Sequence, residues 1–291
     1  MSAPSPTDRR RRVTAGQVVP PVILLVSVLV AWDLLVRFEV VSTFILPPPL
    51  EVWDSLIGLL PTSLLWTNAG LTMYETLAGF AVGSGLAFVL AVASSLWPYF
   101  RKMVYPYMIA LQVTPRIAVT PVIIAWLGFG ATPKIVIAAT ICFFPVYINT
   151  LTGMMSVDED AREMFRALRA SRWQTFTQLM LPAALPVTFA GLKTGMTLAL
   201  IGAIVAEFVS AQAGMGLLIQ QFSFQLNMAA AFAVLLMLTA IGLVLFAVME
   251  YLDRQLVFWA HEDRLAKKSV KKQEAAGLRH DARPTPSREA A

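Results

Sequence analysis

Stretches of about twenty apolar residues, each long enough to cross a hydrocarbon layer, dominate this sequence and leave few folds open to it. They fall at 18–36, 71–96, 104–126, 135–155, 185–206 and 229–249. Within a bilayer every backbone N–H and C=O must be bonded internally, so only helices and closed barrels cross. The runs are continuously apolar and do not alternate like barrel strands, so helices are expected. The chain is 57% hydrophobic and 14% charged, against roughly 25% charged for a soluble domain. The expected fold is all-α: a polytopic membrane helix bundle of about six transmembrane helices, interrupted by one polar hairpin at 156–185.

The charges are unevenly placed. With six spans, both termini and the loops at 97–102 and 156–185 share one side. That side holds Arg9 to Arg12, Arg101, Lys102, Arg162, Arg166, Arg169, Arg172 and a basic tail, whereas the other holds Arg37 and Lys134. The excess of Lys and Arg marks the cytoplasmic face, so both termini and the hairpin are expected there, in a cell membrane. A basic start before an apolar run also fits a signal peptide. A retained span is favoured, because the run is long and no A-x-A site follows. Three segments result: a disordered basic N-terminus at 1–17, a membrane domain at 18–260, and a disordered charged tail at 261–291. The net charge of +5 sets orientation and does not imply nucleic acid. One cysteine, Cys142, and two histidines in the tail, His261 and His280, cannot assemble a zinc site. No metal or cofactor is expected.

The spans are not equivalent. Gly79, Gly83, Ala87, Ala91 and Ser95 recur every four residues, a ridge over which another helix can approach closely. A short interfacial helix is expected near 50–60. The third span is broken by Pro106, Pro115 and Pro121. Arg116 lies within it, about 18 Å from the loop side if the helix is straight. An intramembrane arginine faces a pathway, or here bonds carbonyls freed by the prolines. Residues 128–134 read as a tight loop. Asn149 inside the fourth span and Glu207 closing the fifth are further polar candidates for a pathway. Lys193 is expected to snorkel to the near interface.

The hairpin is the one solvated island. Ser156 and Glu159 have capping-box spacing, as do Ser171 and Gln174. Between them Ala161, Met164, Phe165 and Leu168 form an apolar stripe at i, i+3, i+4 and i+7. Trp173, Phe176 and Met180 form a second stripe. Pro182 and Pro186 are expected to punctuate it. Two short amphipathic helices between membrane spans suit a grip by another protein. No Walker A, G-x-S-x-G or H-E-x-x-H pattern is present. The carboxylates Asp158, Glu159 and Asp160 suit a helix start better than acid–base chemistry.

At the hairpin the chain resembles the cytoplasmic coupling loop, the EAA loop, of binding-protein-dependent ABC importer permeases. Glu163-Met164-Phe165 stands at the E-A-A triplet, Arg169 at the glycine four residues on, and Leu179-Met180-Leu181-Pro182 at the I-x-L-P element. Ala170-Ser171-Arg172-Trp173 and the run from Pro182 to Pro186 resemble the nitrate, sulfonate and taurine branch. So do Thr114-Pro115-Arg116, the run from Trp126 to Gly130, and Gly202 to Glu207 with Gly214-Met215-Gly216. The resemblance covers about 45–260. It implies a non-catalytic permease subunit of an ATP-driven importer for a small anionic or polar solute. The implied partners are cytoplasmic ATPase subunits, an extracytoplasmic solute-binding protein and a second copy of the chain. It implies that Ala161, Glu163, Met164, Phe165, Ala167, Leu168, Arg169, Ala170, Ser171, Leu181 and Pro182 carry the ATPase contact. The competing expectation is a channel or secondary carrier that needs no ATPase. Two positions depart from the pattern: only the glutamate of the triplet is kept, and arginine replaces glycine. Either Arg169 adopts the left-handed region, at about 1–2 kcal/mol, or the turn stays right-handed.

Overall fold

The computed structural model describes residues 15–210 and 212–259. Among the described residues all regular structure is helical: α1 (Ala15–Arg37), α2 (Pro49–Leu59), α3 (Ser63–Leu96), α4 (Pro98–Val113), α5 (Arg116–Leu127) and α6 (Ala131–Met155). Then follow α7 (Glu159–Ala167), α8 (Arg172–Thr175), a π-helical turn (Phe176–Met180), α9 (Leu181–Ser210), α10 (Met215–Phe224) and α11 (Met228–Leu256). α1 begins inside the segment expected to be disordered. The rest of that segment, and the tail at 261–291, lie outside the described residues.

Five helical stretches are long and apolar enough to cross a membrane. A sixth exists if α4 and α5 count as one broken span, bent by 102°. The third span is thus broken, as its prolines lead one to expect, and the break falls at Pro115. Pro115 has no N–H to give, and it pushes the residue before it out of the helical region. Thr114 is accordingly extended, with φ −63° and ψ 127°. The depth inferred for Arg116 from a straight helix does not apply. The fifth span also begins earlier than expected, because α9 starts at Leu181 and runs through Pro182 and Pro186. The helical stretch is continuous from Arg172, and the wider π-helical winding just before Pro182 absorbs the missing amide there, while Pro186 removes one bond from the ladder of α9.

The described residues fall into two compact units, 15–69 with 215–238 and 70–214 with 239–259. In the first, the Trp32 indole donates to the Pro47 carbonyl at 3.0 Å and lies 5.9 Å from the Phe232 ring. Asp33 and Arg37 pair at 2.6 Å, as their spacing predicts.

The second unit is built around α6. The small-residue ridge of α3 packs on it: a Cβ added at Gly83 would stand 2.5 Å from the Ala139 carbonyl oxygen. Ala87 and Ala91 are fully buried. α9 supplies a matching row, with Gly191 against Asn149, Gly195 against Val146 and Gly202 against Ala138. Dispersion and close backbone approach hold such helices together, because lipid supplies no hydrophobic drive between them.

Candidate functional site: the polar hairpin and the buried charges

The hairpin begins where α6 ends. Ser156 does not cap α7. Its hydroxyl donates back to the Gly153 carbonyl at 2.9 Å, and Asp158 is the residue before the helix, with no side-chain cap. The first capping box read from the sequence is thus corrected. Ser156 lies nearer the unsatisfied carbonyls of α6 than the amides of α7, and it serves those. Arg162 joins it there, donating to the Met154 carbonyl at 3.0 Å. Arg166 pairs with Glu159 at 2.9 Å on the exposed surface.

The turn settles the question posed by Arg169. Its φ is +54°, so it takes the left-handed conformation. The Arg169 amide donates to the Arg166 carbonyl at 2.9 Å and the Ala170 amide to the Phe165 carbonyl at 3.0 Å. This pair of bonds is the Schellman closure of a helix C-terminus, which places a left-handed residue just past the cap. The second capping box is present as expected. Ser171 Oγ accepts from the Gln174 amide at 3.2 Å, and the Ser171 amide donates to Gln174 Oε1 at 2.7 Å.

The two arms differ in burial. In the second, Phe176 and Met180 are buried with Met154 and Ala184, against Phe88, Val92 and Leu96 of α3. That arm is fixed to the membrane helices, while Trp173 stays exposed beside Phe176. In the first, α7 buries no residue. Ala161 and Phe165 are half-buried, but Met164 and Leu168 are 54% and 72% exposed. Glu163, Ala167, Arg169 and Ser171 are exposed, and Ala170, Leu181 and Pro182 half-buried. An apolar stripe on a solvated helix is thereby left open next to a rigidly held arm.

The expected pathway residues do not converge on one point. Arg116 opens α5 just after the break, but its side chain is outside the described set. Asn149 donates its amide to the Pro145 carbonyl of its own helix at 2.7 Å and sits against Gly191. It thus stands half-buried beside Pro145 where α6 meets α9. Glu207 is fully buried and accepts from Thr72 Oγ1 at 2.6 Å. Its carboxylate fills the space where a Cβ at Gly214 would stand, so only glycine fits there.

Beside Glu207 lies a site the sequence reading missed. Lys134 Nζ pairs with Glu75 Oε1 at 2.8 Å and donates to the Ala213 carbonyl at 2.9 Å. Glu75 is fully buried, Lys134 only 3% exposed, and the Glu207 carboxyl is close enough to Glu75 to interact with it. Lys134, expected on a loop, is thus in the first turn of α6 and ties it to α3. The available signal was Glu75 itself, a lone carboxylate within an apolar span. Lys193 does not snorkel. It is half-buried between Glu250 and Asp253 of α11, 2.6 Å from the latter. Carboxylates at i and i+3 on the facing helix offered it a nearer partner than the interface. A cavity of about 580 Å³ lies beside the α4–α5 break, walled chiefly by apolar side chains such as Leu86, Met108, Ile123 and Phe143.

Comparison with known proteins bears on this arrangement. The family described as "Binding-protein-dependent transport system inner membrane component" matches residues 79–257, which contain the small-residue ridge, the broken span and the whole hairpin. The chain belongs to that family. As an inner-membrane transport component it resembles the riboflavin transport system permease RibX of Chloroflexus aurantiacus. The two are 35% identical over 237 residues, 81% of this chain and 88% of the relative. The putative aliphatic sulfonates permease SsuC of Bacillus subtilis is 31% identical, over 81% of this chain and 86% of its own. The formylaminopyrimidine permease ThiX of Halalkalibacterium halodurans is 29% identical, over 84% and 96%. Two solved structures share the fold. An amino acid ABC transporter matches with TM-score 0.56 at 15% identity, over 70% of this chain and 96% of that one. The inward-facing MetNI methionine ABC transporter matches with TM-score 0.56 at 18% identity, over 67% and 97%. This permease therefore has the ABC transporter membrane-subunit fold.

Proposed function

We propose that this permease is the non-catalytic pathway subunit of an ATP-driven importer, moved by a separate cytoplasmic ATPase that grips the hairpin at 156–185. The observation that carries the reading is the open apolar stripe of α7, presented beside an arm anchored in the membrane core. A cleft that closes over Met164 and Leu168 buries apolar area worth about 25 cal/mol per Å². Glu163, Ala167 and the turn from Arg169 to Ser171 give that contact its direction. Movement of α7 passes to the membrane through Phe176 and Met180 and then along α9.

A homodimer places two hairpins against two ATPase subunits, and closure of the ATPase pair draws them together. An extracytoplasmic binding protein delivers the solute. Arg116, Glu207 and Asn149 remain the proposed polar groups of the pathway. The relatives named for riboflavin, sulfonates and formylaminopyrimidine support a small organic solute that is polar or anionic at one end. The excess of Lys and Arg around 97–102 and 156–185 supports cytoplasmic termini and a cytoplasmic hairpin.

The test is purification of the permease from its native host with any bound subunits, followed by reconstitution and measurement of uptake with and without ATP. Copurification of a nucleotide-binding subunit and ATP-dependent uptake are expected. Replacement of Glu163 or Ala170 by a bulky or oppositely charged residue is expected to leave ATP hydrolysis running without uptake. Uptake that proceeds without an ATPase would establish a channel or secondary carrier instead.

A further inference from the structure

A pocket of about 450 Å³ lies between the start of α4 and the end of α6. Arg101, Lys102 and Tyr105 line one side, and Leu151, Thr152 and Met155 the other. Unlike the apolar cavity beside the helix break, it joins two adjacent cations to an apolar wall. Among the described residues neither Arg101 nor Lys102 forms an ion pair. Arg101 is half-buried and Lys102 exposed, and among the described residues the Arg101 guanidinium meets only the Met155 sulfur, at 2.9 Å on the exposed rim, a weak acceptor. The depth of the pocket is fixed by its flanks. Trp97, Tyr99, Tyr105 and Tyr107 are all exposed, and such rings settle where headgroups meet hydrocarbon.

Two cations without an ion-pair partner at headgroup depth, beside a wall that continues in Ile148 and Met155, call for a ligand with a phosphate at one end and a hydrocarbon chain at the other. A free anion would satisfy the cations and leave the apolar wall wet. We propose that this pocket binds the phosphodiester of an anionic phospholipid of the cytoplasmic leaflet, with an acyl chain along Ile148 and Met155. The leaflet assignment rests on the orientation proposed above. The bound lipid bridges α4 to the end of α6, the point from which the hairpin departs and where Arg162 also bonds. It thereby stiffens the base on which α7 is carried.

The test is native mass spectrometry of the full-length permease, titrated with phosphatidylglycerol and with phosphatidylcholine of the same acyl chains. The wild type is expected to retain phosphatidylglycerol roughly 10-fold more tightly, from two cations near an anionic headgroup. The Arg101→Gln/Lys102→Gln double variant should lose that preference while melting at the wild-type temperature, and Arg101→Lys/Lys102→Arg should keep it. Millimolar inorganic phosphate should not displace the lipid. Equal retention of the two lipids, an unchanged preference in the neutral variant, or displacement by phosphate would each overturn the site. Orientation is read separately, from Tyr99→Cys labelled in sealed vesicles, since the native Cys142 is buried. Labelling from the extracytoplasmic face would sink the leaflet assignment and the orientation together. Cytoplasmic labelling without lipid selectivity would sink the lipid site alone.

Discussion

Arg169 shows how much one backbone angle carries. Its position in the hairpin turn was legible, and so was the cost of a non-glycine residue there. Which alternative held was not, because the angle is imposed by the Schellman bonds from Arg169 to Arg166 and from Ala170 to Phe165. Arg169→Gly is expected to stabilise the turn by about 0.5–1 kcal/mol, the left-handed penalty less the added entropy of glycine. Arg169→Val is expected to destabilise it. Thermal melts of the purified permease check both, and a lower melting point for the glycine variant would contradict the assignment. The buried charges make the sharper case. Removing Lys134 as Lys134→Met leaves Glu75 and Glu207 buried without the ammonium between α3 and α6, an expected loss of about 3–5 kcal/mol. A melting point within a degree or two of the wild type would show that the pair is not structural. Glu75 was conspicuous in an apolar run, but its partner lies 59 positions away, and no local pattern points that far.

At the scale of elements, periodicity served the long helices well and the short ones less well. The ridge of α3 was read as a packing surface, and it meets α6 backbone to backbone. Gly83→Leu is therefore expected to prevent assembly of the second unit, since its added carbon would meet the Ala139 carbonyl at 2.5 Å. Loss of folded protein in size-exclusion chromatography checks this, and a normal yield of well-folded variant would refute it. In the hairpin both stripes were visible as period 3.6, but periodicity does not say what a stripe faces. Phe176 and Met180 face the membrane helices. Met164 and Leu168 face outward, where Met164→Glu/Leu168→Glu should change stability by less than about 0.5 kcal/mol while abolishing ATP-driven uptake. A variant that transports normally would remove α7 from the proposed contact. The capping boxes divide in the same way. Ser171 and Gln174 close on each other because nothing competes, whereas the end of α6 claims Ser156.

For the whole molecule, the testable consequence is orientation. A cysteine introduced at Ala167 should react with impermeant reagent from the cytoplasmic face only; reaction from outside would invert every functional assignment made to the hairpin. The sequence alone determined a polytopic helical membrane protein, about where its spans fall, and the solvated hairpin among them. Those properties follow from local apolar content, charge and helical period. The tertiary structure decided the burial of the Glu75–Lys134–Glu207 group, the capture of Lys193 by α11, and which hairpin arm stays open. Each depends on what a distant segment brings against a residue. In a membrane, where lipid and protein interior are equally apolar, the sequence of one helix does not reveal which of the two its side chains will meet.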